Sequence, residues 1–211
     1  AYLDLVKKWN YRNDPNEKGV AVFISWYDSL ETVIWTDEFA RVPTPFDLPQ
    51  EFTLIEGLLR DSIFKFTDDI RTTQIETIRE MVTLAFKKAV PGLALADKNG
   101  LLTWGKYKDS GIQHLLRLSP LSRMHLITGG GTHVINATKK THGPSWRMIV
   151  HLTDKTEAYG IYPGGQSGNP GSKFYDQFVD EWAAGKYYPL WVMKQSEKDN
   201  RNVIGSIHFS K

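Results

Sequence analysis

Apolar positions recur at three- and four-residue spacing along the first half of the chain and alternate along the last third. Leu3, Val6 and Trp9 share one face of a short helix over residues 1–9, and the Asn/Asp-rich stretch 10–16 breaks it. From residue 18 to about residue 39, Val20, Phe23, Ile24, Tyr27, Leu30, Val33 and Ile34 predict the longest helix. Three prolines make residues 42–49 a connection, residues 51–60 read as a shorter helix and residues 64–72 as a linker. Thr73-Gln74-Ile75-Glu76 has the form of a capping box. It opens a helix with Ile75, Ile78, Val82, Ala85 and Phe86 on one face, which Pro91-Gly92 is expected to stop. Asn99-Gly100 reads as a turn, 101–104 as a short strand and 114–118 as a short helix. Residues 128–131 read as a flexible glycine loop and 133–136 as extended chain.

Period two takes over near Gly143. Trp146, Met148, Val150 and Leu152 alternate with Arg147, Ile149 and His151, the signature of a half-buried strand with the first set inward. Asp154-Lys155-Thr156 is a turn and residues 158–162 a second strand, so the unit is a β-hairpin. Pro163-Gly164-Gly165-Gln166-Ser167-Gly168-Asn169-Pro170-Gly171 follows, a loop shaped by its backbone, with Gly165 or Gly168 expected at positive φ. Ser172 is placed to cap a helix carrying Phe174, Phe178 and Trp182 and closed by Gly185, and residues 203–209 alternate as a final strand. Helices first and strands last define an α+β chain: 1–125 mainly helical, 126–211 hairpin, glycine-rich loop, helix and terminal strand.

Composition narrows the function classes. A chain of 211 residues with net charge +2 carries no basic footprint for nucleic acid, and no apolar run approaches a membrane span. The absence of cysteine excludes disulfides and thiolate metal sites. His114, His125, His133, His142, His151 and His208 form neither HxxxH nor HExxH, so no metal or cofactor is expected. Gly129-Gly130-Gly131 and Gly164-Gly165 lack the Lys-Ser/Thr ending of a phosphate loop. Asp37-Glu38 and Asp68-Asp69 read as solvated helix ends. Trp26, Trp146 and Trp182 lie in apolar registers and read as core; Trp104 and Trp191 have no assignment.

Two groups of residues are candidates for a site. Arg147 and His151 share a strand face opposite Trp146 and Met148; beside a cleft they would support reacting groups, and otherwise they form a hydrogen-bonded pair on a sheet surface. Gln166, Ser167 and Asn169 can hydrogen-bond across the glycine loop, in a role more structural than ligand-binding.

The run GPSWRMIV, then YPGGQSGNPGS, Tyr175-Asp176, and the Trp-x-x-Gly-x-Tyr-x-Pro-Leu pattern from Trp182 to Leu190 resemble the C-terminal end of the penicillin amidase family. The likeness is dense over the last third and thinner before it. It implies an N-terminal-nucleophile amide hydrolase matured by self-cleavage, an αββα sandwich, an acyl-enzyme and export to the periplasm or beyond the cell. It further implies that the nucleophile, oxyanion-hole groups and calcium ligands lie upstream of this stretch. Ala1 has no hydroxyl or thiol, and Thr132, Ser172 and Ser206, each preceded by glycine, are explained as turn or cap residues. The chain is therefore expected to be a segment of a larger acylase, with the remaining chains as partners and a small-molecule amide as the complete enzyme's substrate. An apolar surface near Ile149, Ile161 and Ile207 would await those partners. The alternative is a non-catalytic binding or scaffold module that retains the family's tail.

Overall fold

The computed structural model describes residues 1–42, 47–60, 64–191 and 203–210. The chain forms two compact units, Ala1–Gly143 and Pro144–Lys211. Helices and small antiparallel sheets make it α+β, and no described helix is long and apolar enough to cross a membrane.

The first unit is built on two helices. Helix α1 (Tyr2–Lys8) packs on α2 (Gly19–Trp35), which packs along α4 (Ile78–Lys98); α3 (Glu51–Arg60) and α5 (Trp104–Lys108) complete the helical set. On α4 the buried residues Met81, Ala85, Ala89 and Leu93 fall every fourth position. The two alanines in that stripe let α2 approach closely. They meet Val20, Ala21, Val22, Leu30, Val33, Ile34 and Trp35 of α2, with Leu54 and Leu102 filling the ends. Val82 and Phe86 lie beside the stripe, while Ile75 precedes the helix and is exposed.

T-x-x-E occurs at residues 73–76 and again at residues 77–80, and the second of these two copies caps α4. Thr77 Oγ1 accepts from Glu80 N at 3.3 Å and Glu80 Oε2 accepts from Thr77 N at 2.8 Å. Glu76 of the first copy closes the preceding loop instead, accepting from Asp69 N and Thr72 Oγ1, both at 2.8 Å. Nor does Pro91-Gly92 stop the helix. Pro91 sits on the exposed side of α4, between buried Ala89 and Leu93, where packing against α2 outweighs one lost hydrogen bond. The helix ends at Asn99-Gly100, where Gly100 takes φ +68° and Leu101 N reaches back to Ala96 O at 2.8 Å, a Schellman closure.

Segment 64–72 is knit rather than loose. A short 3-10 turn, Lys65–Thr67, precedes Asp69, whose carboxylate holds Arg71 in two hydrogen bonds of 2.6 and 2.7 Å. Asp37 is no solvated helix end either: it is buried and accepts from Ile70 N at 2.9 Å. The three-proline connection lies partly outside the described residues.

After Gly100 the expected strand 101–104 is absent: α5 begins at Trp104, because Trp104 and Gly105 donate backbone N–H groups to Glu17 O and Pro15 O. Strands β1 (Ser110–Ile112) and β2 (Arg123–Leu126) pair antiparallel with a register shift, too short and irregular to leave a period-two pattern. Residues 114–118 form a turn, not a helix, and 133–136 are bent rather than extended. The loop 128–131 is held firmly. Lys108 Nζ, on a buried side chain, donates to Gly129 O (2.6 Å), Gly130 O (3.2 Å) and Thr138 O (3.0 Å). Trp104 Nε1 donates to Gly130 O at 2.6 Å, and a hydrogen bond of 2.8 Å joins buried Ser110 Oγ to Thr128 Oγ1.

The second unit is a three-stranded antiparallel sheet, ordered β3 (Arg147–His151), β4 (Glu157–Ile161), β5 (Tyr188–Leu190), with α6 (Val179–Ala183) in the connection. The hairpin forms as its alternation predicts. The third strand is Tyr188–Leu190, however; residues 203–209 are not in a strand. Residues 172–178 are turns, so α6 is much shorter than its Phe-Phe-Trp spacing suggested, although Gly185 does close it.

Candidate functional site

The hairpin carries Arg147 at the first position of β3, and Arg147, not the tryptophan beside it, is the buried residue. Its Nη1 donates to Trp182 O at 2.6 Å and its guanidinium lies 4.4 Å from the Trp182 ring centroid. Trp182 in turn donates Nε1–H to Pro144 O at 3.1 Å. This ties α6 to the start of the hairpin through a cation–π contact and two hydrogen bonds. Burial pulls the Arg147 guanidinium below its ordinary value, opposed by the charge of Tyr187. It remains a cation at any physiological pH.

The alternation of β3 is real, but its burial is reversed. Trp146, Met148, Val150 and Leu152 are all exposed, and so is Ile149 on the other face. What decides burial here is the covering element, and Trp182 covers the Arg147 position alone. Of the expected apolar surface, Ile149 and Ile207 are open but Ile161 is buried at 2 % exposure. His151 lies at the far end of the same strand, exposed and in register with Glu157. Four residues at roughly 3.3 Å each separate it from Arg147, so the two form no pair.

The glycine loop folds on itself through local bonds. Asn169 N donates to Ser167 Oγ (3.1 Å), Gly171 N to Asn169 Oδ1 (2.9 Å), and Ser172 N to Asn169 O (2.9 Å). Ser167 N reaches Phe174 O at 3.1 Å and Phe178 N reaches Gly164 O at 2.9 Å, pinning the loop to the chain before α6. Gln166 is exposed at the loop surface. Ser172 Oγ accepts from Phe174 N at 3.2 Å, a local turn rather than a helix cap. The left-handed glycine is Gly164, at φ +144°, not Gly165 or Gly168. Gly165 is required for another reason: a Cβ there would run into the carbonyl oxygens of Phe174 and Tyr175. Sequence reading missed Gln177, whose Oε1 is buried with no hydrogen-bond partner among the described residues.

Among the described residues, hydroxyl and imidazole groups meet at two places, both exposed and local. Thr141 Oγ1 lies 2.9 Å from His142 Nδ1, and Ser206 Oγ lies 3.4 Å from His208 Nε2. Thr132 is exposed beside His133. None of these has the oriented nucleophile–base–acid sequence that acyl transfer needs. Trp104 belongs to the core of the first unit, whereas Trp191 is exposed.

His133 borders an acidic cleft of about 470 Å³ in the first unit, lined also by Glu31, Asp47, Glu51 and Phe52. Its Nε2 lies 2.5 Å from Glu51 Oε2. No group of three or more His, Asp or Glu among the described residues could hold a metal ion. Burial first, then the Glu51 and Asp28 carboxylates, push Glu31 above the ordinary glutamate value, and His133 offsets this in part. Burial first, then the Glu31, Glu51 and Asp28 carboxylates, hold the Tyr27 hydroxyl, which donates to Glu51 O at 3.0 Å, well above its usual value. A carboxyl raised on folding favours the fold while protonated and loses that contribution as pH rises through its folded value. Glu31→Gln is therefore expected to raise the melting temperature at pH 7 by an amount on the order of 1–2 °C, since the group is only partly buried. The gain should vanish below about pH 4, where wild-type Glu31 is itself protonated. Paired melting curves at the two pH values check both the sign and its disappearance.

Residues 1–199 match the model of the penicillin amidase family, and the chain belongs to that family. The match takes in the helical unit as well as the motif-bearing tail. Two relatives are named acyl-homoserine lactone acylase QuiP. That of Pseudomonas syringae pv. syringae (strain B728a) is 26% identical over 147 residues, covering 62% of this chain and 18% of that protein. The counterpart of Pseudomonas syringae pv. tomato (strain ATCC BAA-871 / DC3000) is 25% identical over 147 residues with the same coverage. The chain thus spans about a fifth of the length of these relatives.

Proposed function

We propose that this chain is the C-terminal part of an exported acylase that hydrolyses a linear amide bond, acyl group on one side and amine on the other, through an acyl-enzyme. The observation that carries the reading is the family match over residues 1–199, beside relatives of which the chain spans 18%. In this reading the nucleophile, the oxyanion donors and the family's calcium ligands come from upstream sequence. The chain supplies scaffold: Arg147 and the Gly164–Ser172 loop hold α6 against the hairpin, and His151, Gln166, Ser167 and Asn169 line the surface that meets the rest of the enzyme.

The exposure pattern supports that partner. A row of Trp146, Met148, Val150 and Leu152 standing open to water is an incomplete layer, and β3 is an edge strand of the sheet among the described residues. In the αββα arrangement a second sheet would cover that face. The isolated chain should give only background with chromogenic phenylacetyl or fatty-acyl amides, and co-production with the remaining precursor should give turnover. Turnover by the isolated chain that disappears on changing Thr132 or Ser172 would overturn the incompleteness. A reconstituted protein that hydrolyses no amide, with a chain that sediments as a monomer at high concentration, would favour the non-catalytic module.

A further inference from the structure

A second cleft of about 470 Å³ lies in the first unit, between the C-terminal end of α4 and the turn that joins α5 to β1. We propose that it binds a small organic carboxylate, a monoanion carrying a compact apolar body. The proposal is independent of the acylase reading, because it rests on residues of this cleft alone.

Two residues at its mouth hold backbones that side chains avoid. Asp109 closes α5 at φ +53° and His125 lies within β2 at φ +59°, both left-handed and neither glycine. Such positions are unfavourable for a residue with a side chain and persist where surrounding structure imposes them. Here they bring two side chains together. His125 Nδ1 lies 2.7 Å from Asp109 Oδ1, which fixes the imidazole and leaves Nε2 directed away from that bond on a side chain 82% exposed. Lys140 Nζ stands 3.9 Å from Asp109 Oδ2. The one carboxylate of the cleft is thereby matched by His125 and Lys140.

Lys106 adds positive charge with no acid beside it in the lining. Among the described residues its Nζ gives one hydrogen bond, to Gly100 O at 3.3 Å, and an ammonium has three donors. The excess charge at the rim is positive. Below the rim the wall is apolar: Leu95 and Leu101 line the cleft while 62% and 45% exposed, and Ala96 lies with them. Two uncovered leucines beneath two ammonium groups and a fixed imidazole suit a ligand with both characters. The volume fits a small molecule and greatly exceeds that of a bare inorganic anion.

The test is an NMR titration of the isotope-labelled chain with benzoate, with benzamide as its uncharged counterpart and inorganic phosphate as the bare anion. Benzoate should shift the His125 imidazole and the Leu95 and Leu101 methyl signals along one saturable curve. Benzamide should bind at least about tenfold more weakly, and phosphate should not displace benzoate. The Lys106→Gln/Lys140→Gln double variant, altered only at exposed side chains, should keep its melting temperature and lose at least about tenfold in affinity. The absence of saturable shifts up to about 10 mM would overturn the site. So would equal binding of benzamide or undiminished binding by the double variant, and displacement by phosphate would reduce it to an unselective anion contact and overturn the ligand class.

Discussion

Lys108→Ala will unfold the first unit at a much lower temperature than any surface lysine change. The wild-type ammonium supplies three hydrogen bonds to the carbonyls of Gly129, Gly130 and Thr138 from a buried side chain. Gly130 O keeps the Trp104 indole as a second donor, but the deletion strips Gly129 O and Thr138 O of this partner inside the core. Hydrogen bonds from a charged donor contribute about 1.5–3 kcal/mol each, so the expected loss is about 3–5 kcal/mol, or a fall in melting temperature on the order of 10 °C. Lys108→Met separates charge from volume. It refills the space without a donor and should recover little; full recovery would mean that packing, not the ammonium, holds the glycine loop.

The second large effect is expected at Gly165, and Gly168 is its control. An alanine methyl at Gly165 would meet two backbone carbonyls, which cannot turn aside without opening the loop that carries them. The expected loss is about 2–3 kcal/mol, at the upper end for overpacked positions. At Gly168 a methyl meets nothing within 4 Å and the backbone is not left-handed. Alanine there should be neutral or stabilising by a few tenths of a kcal/mol through the unfolded chain. Thermal melts of the two variants, followed by a signal from the second unit, distinguish a loop built by close approach from one that is merely glycine-rich.

These cases mark where sequence was legible. The helix α2 and the hairpin were readable because each follows one period over many residues, whereas the face expected for α4 shares only Ala85 with its buried stripe; the errors fall where two local signals compete. Thr73–Glu76 and Thr77–Glu80 are equally good capping boxes as text; Glu76 is withdrawn by its bonds to Asp69 and Thr72, which form only once the loop before α4 closes. Pro91-Gly92 reads as a stop until Ala89 and Leu93 are seen packed against α2. Strand β3 shows its two faces plainly, yet which face is covered depends on Trp182, thirty-five positions away from Arg147. The family motif, likewise, was dense where loops and turns demand particular residues and faint along the helices. Packing tolerates many apolar substitutions, so a helical unit can belong to a family without showing it in short runs.

One contact on the open sheet has an optical consequence. Gly160 leaves a gap in β4, and the Trp146 ring lies against it, so close that an added methyl would meet the indole. The ring is thereby held in place while still 48% exposed, unlike the buried indoles of Trp35, Trp104 and Trp182. An immobilised, half-wetted indole emits at long wavelength and shifts to the blue when its solvent is displaced. Trp146 is therefore a built-in fluorescence gauge for whatever comes to rest on that sheet, and Trp146→Phe would identify its share of the signal.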